Sequence, residues 1–111
     1  MSYVFPRHTK ARYPVAVGGE GPYIIDSEGK RYIDASGGAA VSCLGHGHPA
    51  VIQAIKDQVD KIAYAHSAFF TTEVSEALAE HLIKRAPKGL ARVYFVSGGS
   101  EANETALKLA R

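Results

Sequence analysis

Across residues 51–62 the apolar side chains Val51, Ile52, Ile55, Val59 and Ile62 recur at helical spacing, and Gln53, Lys56, Asp57, Asp60 and Lys61 occupy the other face. This pattern predicts an amphipathic helix that starts at Pro49, where a missing N–H costs nothing, and ends near Tyr64. A second helix is predicted after Thr71 or Thr72. Glu73 lies in its first turn, Val74, Leu78 and Leu82 form its apolar row, and Lys84-Arg85 close it before Pro87. Upstream, Tyr23-Ile24-Ile25-Asp26 and Lys30-Arg31-Tyr32-Ile33-Asp34 flank Ser27-Glu28-Gly29, the composition of a hairpin with a three-residue loop and a left-handed glycine. Residues 13–17 suggest a short edge strand closed by Gly18-Gly19. Val93-Tyr94-Phe95-Val96 reads as a buried strand, followed by a small-residue turn and the start of a helix.

Composition places these elements in a globular protein, with 46% apolar and 22% charged residues among 111. A folded core is expected. No stop signal follows Leu109-Ala110, and the parallel-sheet part of the fold has only just begun at Val93. The expectation is therefore the N-terminal portion of a larger α/β protein. The formal charge of +2 is spread without a cationic block, which argues against nucleic acid as a partner. A single cysteine, Cys43, excludes an intrachain disulfide and suits the cytoplasm. No signal peptide is recognisable, and no apolar run approaches the ~20 residues that span a bilayer, so a soluble protein without a membrane partner is expected.

The candidate chemistry sits where the last predicted helix opens. In Ser97-Gly98-Gly99-Ser100 the N–H groups of Gly98, Gly99 and Ser100, with the Ser100 hydroxyl as a further donor, can form a cup for a phosphate monoester at the positive end of the helix dipole. The Lys-Ser/Thr of a nucleoside-triphosphate loop is missing, as are the Gly-x-Gly-x-x-Gly spacing of dinucleotide folds and the Gly-x-Ser-x-Gly elbow of hydrolases. Seen alone, the turn also fits a plain helix start in which Ser100 is only the cap. Glu101 and Glu104 would repel a phosphate and are expected to face away, with Lys108 on a solvated face.

Other polar residues have plainer readings. His46 and His48 lack a second ligand cluster and are read as fixing a turn or helix start, with no metal. Cys43 reads as a small buried residue, since nothing beside it in sequence would activate a thiol. Asp26 and Asp34 read as hairpin-end residues. The segment Ser36-Gly37-Gly38-Ala39-Ala40-Val41-Ser42 is small enough to let a ligand, a backbone or a second subunit come close.

Ser97-Gly98-Gly99-Ser100-Glu101-Ala102-Asn103-Glu104-Thr105-Ala106 resembles the phosphate-binding segment of class III aminotransferases, which depend on pyridoxal phosphate. Two further segments are similar to that family in the same order. They are the hairpin from Gly21-Pro22-Tyr23 to Tyr32-Ile33-Asp34 and the turn Gly45-His46-Gly47-His48-Pro49. Gly98 stands where many members carry a second serine. The resemblance implies a fold type I enzyme, in which a lysine holds the cofactor as a Schiff base and an amino group passes from an amino acid or amine to a keto acid or aldehyde. Residues 1–48 would then belong to the small domain. Residues 49–111 would be linking helices and the start of the large cofactor-binding domain.

By the same resemblance, Gly98, Gly99 and Ser100 would hold the cofactor phosphate. Ala39, Ala40 and Val41 would line the substrate pocket, where a small Ala40 leaves room for a bulky group. The segment around Ser67, Phe69 and Phe70 would approach the partner's site in a homodimer or higher homo-oligomer; ordinary packing explains all six residues equally simply. The family's lysine, its pyridine-nitrogen aspartate and its stacking aromatic residue are not among these 111 residues, so none of the present lysines is assigned a catalytic role. On this sequence the 111 residues alone are expected to be inactive. A non-catalytic phosphate-binding or subunit-interaction protein, or an unrelated α/β phosphate binder, remains compatible with the same residues.

Overall fold

The computed structural model describes residues 3–111, and the chain divides into two compact units, one ending at Ala63 and the other comprising Tyr64–Arg111. In the first unit β1 (Ala16–Glu20), β2 (Tyr23–Asp26) and β3 (Arg31–Ile33) form an antiparallel sheet in the order β1-β2-β3, followed by α1 (Pro49–Lys61). The β2–β3 hairpin forms as its sequence predicts. Ile25 pairs with Arg31 and Tyr23 with Ile33, and Gly29 closes the loop with φ 80°. The Arg31 guanidinium lies 4.3 Å from the centre of the Tyr23 ring, its diagonal neighbour on one sheet face, and also meets Glu20 at 3.3 Å.

β1 lies three residues later than the expected edge strand, so that Gly18 and Gly19 are inside it and not beyond its end. The reason is a close approach. A Cβ on Gly19 would stand 2.5 Å from the Cβ of His46, so only glycine lets the strand run past that histidine. An irregularity at Val17 shifts the register, with Ala16 opposite Asp26 and Gly18 opposite Ile25.

α1 begins with Pro49 in its first turn, as expected, but ends at Lys61, where Ile62 is already extended. In the second unit α2 (Glu73–Ile83) is capped by Thr72, whose hydroxyl accepts the Ser75 N–H at 3.3 Å, and α3 (Gly99–Ala110) follows a long irregular stretch. Two expectations fail here. Val93-Tyr94-Phe95-Val96 is not a strand: Val93 is half-buried and the next three residues are exposed. Extended backbone becomes a strand only beside another strand that takes its N–H and C=O groups, and the sheet of the first unit contains only β1, β2 and β3. Nor is there an apolar core. Among the described residues no hydrophobic side chain is buried, and the rows Val51, Ile52, Ile55 of α1 and Val74, Leu78, Leu82 of α2 stay open to solvent. Among the described residues the one that is buried is Asp26. Cys43, expected to be buried, is exposed, and its thiol donates to the Ala40 carbonyl at 3.2 Å.

Candidate functional site

The candidate phosphate and substrate residues belong to different units. In the second unit Gly98 is the N-cap of α3, with extended backbone, and no side chain caps the helix. The Ala102 N–H is the first to find a carbonyl, that of Gly98 at 3.0 Å. The amides of Gly98, Gly99, Ser100 and Glu101 are therefore the orphan donors that every helix start leaves. Ser100 is a residue inside the helix and not its cap, which removes the plain-cap reading of its hydroxyl. A Cβ on Gly99 would meet nothing within 4 Å, so the mouth of the turn is open. Together, orphan amides, open space and the dipole make a site that suits a phosphate group.

The acidic residues behave differently from one another. Glu104 faces along the helix to Lys108, 3.1 Å away, and both are largely exposed, as expected for a solvated face. Glu101, expected to face away, instead brings Oε2 to 2.9 Å from where a Cβ on Gly98 would stand. Its carboxylate thus lies beside the positive helix end, which favours a negative charge.

In the first unit the candidate substrate residues stand on a left-handed turn. Gly37, Gly38, Ala39 and Ala40 have φ of 63°, 56°, 59° and 69°, and the Val41 N–H closes the turn on the Gly37 carbonyl at 2.8 Å. Each alanine in this region costs about 1–2 kcal/mol. Ala39, Ala40 and Val41 are all exposed, so apolar burial does not hold them.

Asp34 holds the loop. Its Oδ1 accepts the Gly37 N–H at 3.1 Å and the Ser36 hydroxyl at 3.2 Å; its Oδ2 accepts the Ser42 hydroxyl at 2.6 Å and His46 Nε2 at 2.9 Å. Facing a carboxylate that can only accept, Nε2 is the protonated nitrogen of His46. The Ser42 hydroxyl first, then His46, hold the Asp34 carboxyl well below the usual carboxylate range against the opposing effect of its burial. His46 is tied in turn by its backbone, which exchanges N–H···O bonds with Gly21 at 2.7 and 3.0 Å. Gly45, with φ 76°, has no room for a Cβ, which would stand 2.8 Å from the Gly21 carbonyl oxygen. His46 therefore has the structural role expected of it, whereas His48 is the N-cap of α1 without a side-chain cap bond. Among the described residues no group of His, Cys, Asp and Glu side chains could hold a metal.

Asp34 is more than the hairpin-end residue anticipated. The signal was present in Asp34-Ala35-Ser36-Gly37, a spacing in which an aspartate accepts from the backbone just ahead of it. Asp26 has the narrower role foreseen, accepting the amides of Glu28 and Lys30 and the Tyr32 hydroxyl. The Tyr32 hydroxyl is the main cause that lowers the Asp26 pKa, and the same bond raises that of Tyr32.

Of the other candidates, Ser67 and Phe70 line an open groove of about 910 Å³ with Ser75, Ile83, Arg92 and Phe95. Phe69 is outside it, its ring tilted against His66 at 5.3 Å.

Comparison with known proteins gives one family. The model of "Aminotransferase class-III" matches residues 4–111. The chain is 44% identical over 105 residues to an acetylornithine aminotransferase of Methanopyrus kandleri, covering 94% of this chain and 27% of that protein. Among solved structures, adenosylmethionine-8-amino-7-oxononanoate aminotransferase of Methanocaldococcus jannaschii superposes with a TM-score of 0.85 at 33% identity, over 97% of this chain and 26% of that one. A PMP-bound aminotransferase of Vibrio fluvialis gives 0.80 at 36% identity, over 87% and 22%. The chain thus spans about a quarter of the length of the curated relatives it matches.

Proposed function

The chain belongs to the class III aminotransferases, and on that premise we propose that the complete protein moves an amino group from an amino acid or amine to a keto acid or aldehyde by means of pyridoxal phosphate. The observation that carries the reading to these residues is the open start of α3, where the Gly98, Gly99 and Ser100 amides stand without partners. In this reading they take the phosphate of the cofactor, which when bound supplies an electron sink for the bond changes at the amine-bearing carbon. The dipole of α3 adds to the binding, Glu101 swings off Gly98, and Glu104 stays with Lys108. Phosphate anchoring fixes the position of the reacting end, and each charge-assisted amide bond contributes about 1.5–3 kcal/mol.

Ala39, Ala40 and Val41 line the amine pocket in this proposal, and their exposure leaves them free to meet a substrate. Residues 1–48 belong to a small domain and residues 49–111 lead into the larger one. The lysine that carries the cofactor lies outside these 111 residues, so the chain alone binds phosphate without catalysing transfer; the length of the relatives supports this. The open apolar rows of α1 and α2 are covered by the remainder of the protein and by a second subunit in a homodimer. A free, exposed Cys43 and the lack, among the described residues, of a helix able to cross a membrane fit a cytoplasmic enzyme.

Absorbance tests the reading. The complete protein incubated with pyridoxal phosphate should retain a visible band through gel filtration, and the band should shift when an amine donor is added. A colourless protein would reject the proposal.

A further inference from the structure

We propose that Asp34 is a positioning residue for amine selection: by gripping Ser36, Gly37, Ser42 and His46 together, its carboxylate fixes the left-handed turn that presents Ala39, Ala40 and Val41. The inference rests on the aminotransferase reading above.

Besides Asp34, the side chains that hold the loop are Cys43, whose thiol donates to the Ala40 carbonyl at 3.2 Å, and Ser36, whose Oγ accepts the Gly38 N–H at 3.5 Å. Val41 and Leu44 are 84% and 70% exposed, so no apolar packing defines its shape. Its own backbone bonds are few: Val41 and Ser42 donate to Gly37, and Gly45 donates to Ser42. Two alanines in the left-handed region would leave it if unrestrained. Asp34 supplies the restraint from both ends of the turn, with Ser36 and Gly37 at its start and Ser42 and His46 after it. The Asp34 side chain is only 12% exposed whereas Ala39, Ala40 and Val41 are open, so a covered anchor supports an accessible crest. His46 extends the anchor to the sheet through Gly21. Displacing the crest by an ångström changes which amine fits.

Asp26 provides the control, because it makes comparable bonds that end within its own hairpin. In the complete protein loaded with pyridoxal phosphate, Asp34→Asn should raise KM for an amine donor on the order of tenfold, change the preference between an aromatic and an aliphatic amine, and leave kcat within about twofold. Ser42→Ala, which keeps the charge, should move preference in the same direction by less, and Asp26→Asn should lower Tm with preference unchanged. A readout independent of turnover is hydrogen exchange without amine or cofactor. There the Val41 and Ser42 amides should exchange at least ~10-fold faster in Asp34→Asn and at the native rate in Asp26→Asn. Native donor preference and native exchange in Asp34→Asn would overturn the proposal; should that variant fail to fold, native preference in Ser42→Ala does so. A wild-type protein that transfers no amino group rejects the aminotransferase reading itself, and the inference with it.

Discussion

At the scale of single residues, the first unit is organised by two aspartates with different reach. Asp34 is held ionised in the fold well below its ordinary value, whereas in the unfolded chain it titrates near ~3.9. A depressed carboxylate contributes its stability in full above the unfolded value and loses it as pH falls toward the folded one. The melting temperature of the complete protein should therefore begin to drop below about pH 5 and keep falling as pH approaches the depressed folded value, and Asp34→Asn should flatten that slope. Asp26, whose shift has the same sign, contributes to the same fall. A pair of opposite substitutions tests the backbone of the same loop. Gly45→Ala meets the Gly21 carbonyl and should cost about 1–3 kcal/mol by denaturant titration. Ala40→Gly relieves a positive φ but frees the unfolded chain, so it should stabilise by at most ~1 kcal/mol. Sequence reading reached Gly29 because a three-residue loop demands a residue of that conformation. It read Asp34 only as a hairpin-end residue, because the local spacing signals Ser36 and Gly37 while Ser42 and His46 reach the carboxylate only in the folded loop.

At the scale of elements, α3 is the test bed for the phosphate turn. Proline is well tolerated in the first helical position, and Gly98 before it is already extended, so Gly99→Pro deletes one amide donor while sparing the helix. Pyridoxal phosphate affinity should fall about 10–100-fold by equilibrium dialysis, the value of one charge-assisted hydrogen bond. Glu101→Gln removes the carboxylate that rests near Gly98 and should tighten the same binding by a few fold, in line with the ~0.3–1 kcal/mol of a charge at a helix end. The helices α1 and α2 were legible because their period and their start signals, Pro49 and Thr72, are properties of contiguous residues. Val93-Tyr94-Phe95-Val96 was not, since a strand exists only through its neighbours. β1 was found in kind but misplaced, because the fit of Gly19 against His46 depends on residues far apart in sequence.

At the scale of the whole molecule, the family was legible in three ordered motifs, and the matching of residues 4–111 to the class III aminotransferases agrees with them. What no motif conveyed was the absence of a buried apolar side chain among the described residues. The periodic rows of α1 and α2 specify faces, and a face becomes a core only against another surface. The chain covers about a quarter of its relatives' length. Amino transfer itself is the property that separates the proposed enzyme from a phosphate binder of similar shape. The most direct measurement supplies the complete protein with pyridoxal phosphate, an amine donor labelled with heavy nitrogen and an unlabelled keto acid, and follows the label by mass spectrometry. The label should appear in the amino acid formed from the keto acid, and only when the cofactor is present. Label that stays in the donor, or leaves as free ammonia, would contradict the proposed activity.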